Sequence, residues 1–403
     1  MTELSKIKLK PGLHRESTQY EEDGNWYDGN HVRFRAGKPE NMRGYETKVS
    51  TAFDGSARDL ITYKSGNNNT KRAVFGTPDK LYAHNGDSLT DITPIVTAVA
   101  LTSCFATADG STRVCCVDAA HGRAVGDYVL FTSTATFNAV SLSTNVYPVV
   151  SVVGSGAFSI SVTNNANATA SSVGSATFNY LLPTGNSIAV GGLGYGAAAF
   201  QATVETTNTR AWNQPSSADA SDIVFDISQW SLDNWGDDVV ANRSGGNIFY
   251  FDSDASTVPI RATSITTSPI SVNSIIVSPN DRHLIALGSN SYAAATSVSG
   301  VFDPMLVRWS DQDDRTNWVP SVSSTSGEVV LTDGTRIVGS VRSRSAIHIW
   351  TDSAMWLMSF AGPPFTFKFT PAGTNCGLIA PHGAVDYNGV SYWMGYDNFY
   401  KYD

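Results

Sequence analysis

The stretch Ile347-His348-Ile349-Trp350-Thr351, followed by Met355-Trp356, decides the fold of this chain. An apolar strand ends at an aromatic residue and a threonine, and a second aromatic residue follows shortly afterwards. Asp352 and Ser353 lie between the two segments, and both are residues that favour tight turns. The stretch therefore predicts a β-hairpin with a closely packed aromatic end.

The same pattern recurs along the chain, twice clearly and twice in weaker form. The copies are Ala73–Gly76 with Leu81-Tyr82, Val390–Gly395 with Phe399-Tyr400, and the weaker Asn247–Asp252 and His283–Gly288. Trp309, Trp350 and Trp393 follow one another at intervals of 41 and 43 residues. A period of about 40–45 residues with four short strands per unit is typical of β-propeller blades. We therefore predict an all-β protein, a β-propeller.

One interval breaks this rhythm. Residues 96–186 are rich in Val, Ala, Ser and Thr and contain five charged side chains, Asp109, Arg113, Asp118, Arg123 and Asp127. Strands are predicted at Arg113–Val117 and Tyr128–Phe131, with His121–Asp127 as the tight turn between them. This interval is expected to be an inserted small β-barrel or β-sandwich domain.

The insertion divides the chain into three parts. Residues 1–95 are predicted to form an N-terminal arm and the first propeller blade, and residues 187–403 the remaining blades. Without the insertion, the repeating part has room for about six blades of about 42 residues each. The sequence ends where a further hairpin turn would follow, so either an N-terminal strand closes the last blade or the chain is truncated and that blade is incomplete.

The charge balance limits the possible functions. The formal net charge is −9, and 16% of the residues are charged. Electrostatic binding of nucleic acid needs a basic surface, and a net negative charge does not favour one. No apolar run approaches the length of a membrane-spanning helix, so no membrane span is expected.

The chemistry-bearing residues show no catalytic or metal-binding pattern. The seven histidines and four cysteines include no HExxH, CxxC or paired-histidine spacing, and GxSxG is absent. His348 lies in an apolar strand and is expected to be a core or interface histidine. We therefore predict no enzyme activity, no metal site and no cofactor.

Two short segments leave alternatives open. Trp309–Trp318 is rich in acids and could bind calcium, but the glycine and distal glutamate of a calcium loop are missing, so a structural turn is favoured. Arg336, Arg342 and Arg344 could grip a carboxylate or phosphate, and Arg342 and Arg344 are predicted to share one strand face. A solvated or salt-bridged face is the commoner arrangement.

Several motifs, in order, resemble the tail nozzle or packaged-DNA stabilisation proteins of short-tailed bacteriophages. The resemblance covers the chain on both sides of the insertion and includes Arg33 and Arg35 as possible interface residues. The motifs are Pro11–Leu13, Gly24–Trp26, Val32–Arg35, Gly37, Pro39-Glu40, Gly44-Tyr45, Trp230–Gly236, Val307–Asp311, Ile349–Asp352 and Asn375–His382. The insertion, through its HGxxVGD segment, resembles small β-domains that decorate other phage structural proteins.

This resemblance implies a structural role in the virion. The chain would assemble in the host cytoplasm into a homo-oligomeric ring, a hexamer, below the portal-adaptor protein of the tail. The ring would carry tail spike, fibre or needle proteins and let DNA pass without sequence-specific binding. A net-negative lumen is expected, because a cationic bore would hold phosphate groups and slow ejection.

Two other functional classes remain open from the sequence. Asp233, Asp238 and Asp333 are among many acids that could form the carboxylate pair of a glycan-hydrolysing propeller, or contact glycans in a binding one. The Trp309–Trp318 segment also resembles the Asp-box turn of sialidase propellers, although it lacks the glycine of that motif. A generic propeller scaffold without a phage role is the third possibility.

Overall fold

The computed structural model describes residues 10–403, apart from 183–228 and shorter gaps at 16–17, 19, 22–23, 43, 45–48, 50, 54–55, 65–70, 78–79, 87, 120, 255–260, 294–299 and 363–364. In the described residues every regular element is a β-strand. The chain divides into two compact units, residues 1–52 and residues 53–403. This confirms the all-β prediction.

The first unit contains one antiparallel hairpin. Its strands are β1 (Val32–Arg35) and β2 (Lys38–Asn41), with Arg35 opposite Lys38. Ala36 and Gly37 both have positive φ in the connection, the backbone that two-residue hairpin turns require.

The second unit is a β-propeller with an inserted β-domain. Five separate antiparallel sheets are its blades, and in each the strands pair in chain order from the innermost outward. Blade 1 contains β3 (Asp59–Lys64), β4 (Lys71–Gly76), β5 (Leu81–His84) and β6 (Leu89–Asp91). Blade 2 contains β17 (Trp230–Trp235), β18 (Asp238–Arg243), β19 (Ile248–Phe251) and β20 (Thr263–Ser264).

The last three blades follow without a further insertion. Blade 3 contains β21 (Val272–Val277), β22 (Leu284–Asn290), β23 (Phe302–Trp309) and β24 (Gly327–Val330). Blade 4 contains β25 (Ile337–Arg342), β26 (Ile347–Thr351), β27 (Ala354–Gly362) and β28 (Thr366–Thr374). Blade 5 has three strands, β29 (Ala384–Tyr387), β30 (Val390–Met394) and β31 (Phe399–Tyr402).

The described residues form five blades, whereas the length of the repeating part predicted about six. That count assigned blade structure to the segment 187–228, which lies outside the described residues. It also assumed a uniform repeat, but the long connection between β23 and β24 lengthens blade 3. The tryptophan interval was partly coincidental, because Trp309 ends a third strand whereas Trp350 and Trp393 lie on second strands.

The insertion follows blade 1 and forms one eight-stranded antiparallel sheet and one hairpin. Its strands are β7 (Ile95–Leu101), β8 (Phe105–Thr107), β9 (Arg113–Val117), β10 (Tyr128–Phe131), β11 (Ala135–Phe137), β12 (Val140–Leu142), β13 (Val146–Val153), β14 (Ala157–Ser161), β15 (Ala170–Val173) and β16 (Ala176–Leu181). The sheet order is β15-β8-β9-β14-β13-β10-β16-β7, and β11 pairs with β12.

The eight-stranded sheet rolls over a single aromatic core. Phe158 on β14 and Phe178 on β16 are three strand positions apart, which would be about 14 Å in a flat sheet. Their ring centroids are 6.4 Å apart, so the two halves of the sheet face each other. The edge strands β7 and β15 do not pair with each other.

The prediction that His121–Asp127 is a tight hairpin turn was wrong. Strands β9 and β10 have the predicted bounds, but they are not neighbours in the sheet, because β14 and β13 lie between them. The segment is therefore a crossover. Asp127 closes its end by accepting a hydrogen bond from the Ala124 N–H at 2.8 Å.

Candidate functional site

A polar cavity of about 790 Å³ lies where the first strands of the five blades converge. Since a propeller blade places its first strand at the axis, this cavity is the central channel of the molecule. Three acids and three basic side chains are among the residues that line it: Asp59, Asp233, Asp386, Arg336, Arg342 and His382. Their contacts decide what the channel can do chemically.

Asp59, at the start of β3, joins blade 1 to blade 2. One carboxylate oxygen accepts the N–H of Leu60 at 2.9 Å, and the other accepts the N–H of Leu232 on β17 at 2.9 Å. Burial raises the pKa of Asp59 above its usual value, although His382 and these hydrogen bonds act in the opposite direction. The Asp59 carboxyl therefore links blade 1 to blade 2, and its pKa is raised.

Asp233, on β17, ties three blades together. Asp233 is 3% exposed, and its carboxylate accepts the N–H of Val277 on β21 at 2.6 Å and the N–H of Asn234 at 2.7 Å. The guanidinium of Arg342, from blade 4, donates to the same carboxylate. Both oxygens are thus occupied, and the negative charge is paired.

Asp386, on β29, is held by hydrogen bonds from blade 5 and from Ser343, in the turn after β25 of blade 4. It accepts hydrogen bonds from the Gly389 N–H at 3.0 Å and the Ser391 hydroxyl at 3.2 Å. Burial alone would raise its pKa, but these bonds and one from Ser343 hold the pKa below the usual value. The Ser391 hydroxyl also contacts Nδ1 of buried His348 at 2.8 Å, and burial lowers the pKa of that imidazole.

The structure brings two of the five sequence-predicted arginines together. Arg336 and Arg342, at opposite ends of β25, line the channel. The prediction that Arg342 and Arg344 share a strand face was wrong, because β25 ends at Arg342 and Arg344 lies in the following turn. Arg33 and Arg35 lie on β1 in the first unit, where Arg33 forms an ion pair with Glu40 at 3.1 Å.

The acidic segment Trp309–Trp318 is a structural turn between the third and fourth strands of blade 3. Asp311 accepts hydrogen bonds from the Thr325 hydroxyl at 2.6 Å and from the Asn317 amide at 3.0 Å. The Trp318 ring is buried, and its indole donates to the Arg315 carbonyl at 2.8 Å. In the described part of the chain, no group of His, Cys, Asp or Glu side chains could hold a metal ion.

The sequence did not predict a buried arrangement of Thr325, His283 and Asp281. His283 contacts Asp281 through Nδ1 at 2.6 Å and the Thr325 hydroxyl through Nε2 at 3.0 Å. This is the order of a nucleophile, a base and an orienting acid. The Thr325 hydroxyl, however, donates to Asp311 and accepts the Gln312 N–H at 2.9 Å, so the group connects two loops of blade 3.

Acid should weaken the fold through three carboxyls whose pKa is lowered. Burial by itself would raise the pKa of Asp311 and Asp352. Hydrogen bonds to these carboxylates outweigh burial and lower the pKa, as they do at Asp386. A lowered folded pKa gives stability that is present above about pH 4, the unfolded value, and is lost as pH falls through the folded pKa. Urea unfolding between pH 7 and 3 should show this loss, and Asp311→Asn should reduce it. An unchanged pH profile in that variant would contradict the assignment.

No helix in the described residues is long and apolar enough to cross a membrane.

Comparison with known proteins adds no family. No protein-family model and no curated protein matches the chain. Among solved structures it is similar to the phage phi92 endosialidase, with 13% identity and a TM-score of 0.24 over 88% of this chain. It is also similar to the extracellular domain of BT4673 from B. thetaiotaomicron, with 9% identity and a TM-score of 0.23 over 91% of this chain. The chain spans 55% of the first structure's length and 66% of the second's, and similarities this low carry no argument about function.

Proposed function

We propose that this chain is a non-enzymatic structural protein of a phage tail, a nozzle that extends the portal-adaptor channel for DNA retention and ejection. The observation that supports it best is the use of the channel acids. Asp59 and Asp233 accept hydrogen bonds from backbone N–H groups of the next blade, and Asp386 accepts hydrogen bonds from blade 5 and from Ser343 in blade 4. These carboxylates hold the blades in place. The ordered motifs on both sides of the insertion supply the phage context.

The partners follow from the proposed role. The chain would form a homo-oligomeric ring of six copies in the virion tail, next to the portal-adaptor protein and to spike, fibre or needle proteins. The formal charge of −9 suits a conduit, because a net-negative lumen repels the phosphate backbone and lets DNA slide. A ring bore lined mainly by Lys and Arg would contradict this part of the proposal.

Electron microscopy of negatively stained protein tests the assembly. We expect rings with a central hole when the purified chain is mixed with the portal and adaptor proteins of a short-tailed phage. The protein alone serves as the control, since assembly on a portal can require the template. Failure to bind any portal-adaptor complex, with the chain folded by circular dichroism, would refute the nozzle assignment.

One observation favours a second candidate, a glycan-hydrolysing propeller. Burial raises the pKa of Asp59 in a polar cavity that Asp233 also lines, and glycan hydrolysis uses two carboxyl groups, one of which is a general acid with a raised pKa. Under this proposal the protein would release sugar from host-cell glycans, and Asp59→Asn would abolish the release. Arg344→Gln, outside the channel lining, is the matched control. Absence of hydrolysis across a panel of surface glycans would exclude this candidate.

A further inference from the structure

A second cavity lies on the inserted domain, away from the propeller channel. Its volume is about 300 Å³, and it extends over β8, β9 and β14, which are neighbours in the eight-stranded sheet. Its lining on these strands includes Ala106, Arg113, Cys115 and Ser159. None of its lining residues also lines the channel, so the cavity is a separate feature of the molecule.

Strand alternation places this cavity on the outer face of the sheet. On β9, Val114 and Cys116 belong to the aromatic core, so Arg113 and Cys115 point to the opposite face. Ser159 on β14 lies directly opposite Cys115 in the register, and directly opposite residues share a face. The guanidinium, the thiol and the hydroxyl therefore meet on one side of the sheet, outside the core.

Small neighbours leave room above the Cys115 thiol. Its two cross-strand partners are Ala106 on β8 and Ser159 on β14. The Cβ atoms of such partners are about 4.5–5.5 Å apart, so a large side chain at either position would cover the sulfur. Cys115 is partly exposed and lines the cavity. A small molecule in the cavity can therefore reach the thiol.

Two polar groups beside the thiol have no partner among the described residues. Ser159 is 6% exposed, and its hydroxyl forms no hydrogen bond within the described part of the chain. Buried hydroxyls usually have a hydrogen-bond partner, so this one is available to a ligand. The Arg113 guanidinium likewise forms no hydrogen bond or ion pair with a described residue. A guanidinium binds a carboxylate through two parallel hydrogen bonds, and a hydroxyl can add a third.

The other three cysteines lack this environment. Cys104 and Cys116 are buried in the core of the inserted domain, and burial raises the pKa of both thiols. Burial also raises the pKa of Cys376, in the propeller. The thiolate is the reactive form of cysteine, so a raised pKa makes these three less reactive. Cys115 combines access from a cavity with a cationic side chain two residues along the same strand face.

We propose that Cys115 is a site of reversible thiol modification by a small disulfide whose carboxylate is bound by Arg113 and Ser159. The Cys115 thiol gives its proton to water, and the thiolate attacks one sulfur of the disulfide. The new bond from Sγ to that sulfur forms as the original S–S bond breaks, and the departing thiolate takes a proton from water. The Cys115 sulfur is oxidised and the departing sulfur is reduced, so the disulfide itself is the oxidant. The site lies outside the propeller and does not depend on the tail assignment.

Two disulfides of opposite charge test this site on the full chain. Oxidised glutathione carries carboxylates, whereas cystamine carries amines and no carboxylate. Fragmentation mass spectrometry follows the mixed disulfide at each cysteine over time. We expect oxidised glutathione to modify Cys115 first. Arg113→Gln should slow that reaction about tenfold, through the loss of a charged hydrogen bond, and should not slow the reaction with cystamine. Ser159→Ala should also slow modification by oxidised glutathione.

The matched control is Arg344→Gln, at an exposed arginine of blade 4, which should leave both rates unchanged. Cys104 and Cys116 should stay unmodified in every variant, which shows that the fold is intact. Equal slowing of both disulfides by Arg113→Gln would overturn the proposal, because the arginine would then act on the thiol and not on a carboxylate. Modification of Cys376 in preference to Cys115, or no mixed disulfide at Cys115, would overturn it as well.

Discussion

Trp230→Ala should destabilise the propeller by about 3–5 kcal/mol, the range expected for removing a large aromatic side chain from a core. Trp230 is 1% exposed at the start of β17 and packs into the core between blades 1 and 2. Its indole N–H also donates to the Thr77 carbonyl at 2.8 Å. The substitution therefore leaves a cavity and removes the hydrogen bond from the indole to the Thr77 carbonyl.

Gly76 explains why the indole fits at this place. A side chain at this position would collide with the Trp230 ring, so the glycine gives the ring room against β4. The stability change is measurable by urea unfolding followed by far-ultraviolet circular dichroism. Phe365→Ala is the control, because that ring is 78% exposed and its loss should change stability little. Equal effects of the two substitutions would contradict the role of Trp230.

Asp233→Ala should cost a similar amount, about 3–5 kcal/mol, because it leaves buried donors without an acceptor. The Val277 N–H and the Asn234 N–H lose their carboxylate, and Arg342 loses its counter-ion. Arg342→Met should cost less, since the arginine side chain is 40% exposed and water can replace its partner. Removing both groups should cost less than the sum of the two single changes.

A double-mutant cycle measures this coupling directly. Residues in one ion pair typically show about 0.5–3 kcal/mol of interaction free energy, and the two single variants with the double variant give its value here. Arg336→Met is the matched control, because Arg336 lines the same channel and the structure shows no hydrogen bond from its guanidinium to a described residue. If Arg342→Met proves costlier than Asp233→Ala, Asp233 is not the central tie among these blades.

These two sites show how far the sequence could predict the molecule. The hairpin at Ile347–Met355 and the predicted strands of the insertion depend on local alternation and turn residues, and both are present in the structure. Asp233 is one of many acids in the sequence. Its role depends on Val277 and Arg342, which are 44 and 109 residues away. Local patterns do not contain such distant pairings.

The predicted count of about six blades was close to the five blades of the described residues, whereas the predicted arginine cluster was wrong. Counting blades by length assumed equal repeats, but connections at the blade surface vary in length at little cost. Placing Arg342 and Arg344 on one face assumed that the strand continued. The Ser343 N–H instead donates to the Ala346 carbonyl at 2.9 Å, and the chain turns. One backbone hydrogen bond was enough to separate the two guanidinium groups.

The sequence by itself determined the class of the fold, the repeated aromatic hairpins and the presence of an inserted β-domain in this chain. Each depends on period-two alternation and turn chemistry, which act between residues close in sequence. The tertiary structure alone decided that Asp59 and Asp233 tie neighbouring blades. Those features arise where first strands meet around an axis, and that convergence is a property of the assembled sheets.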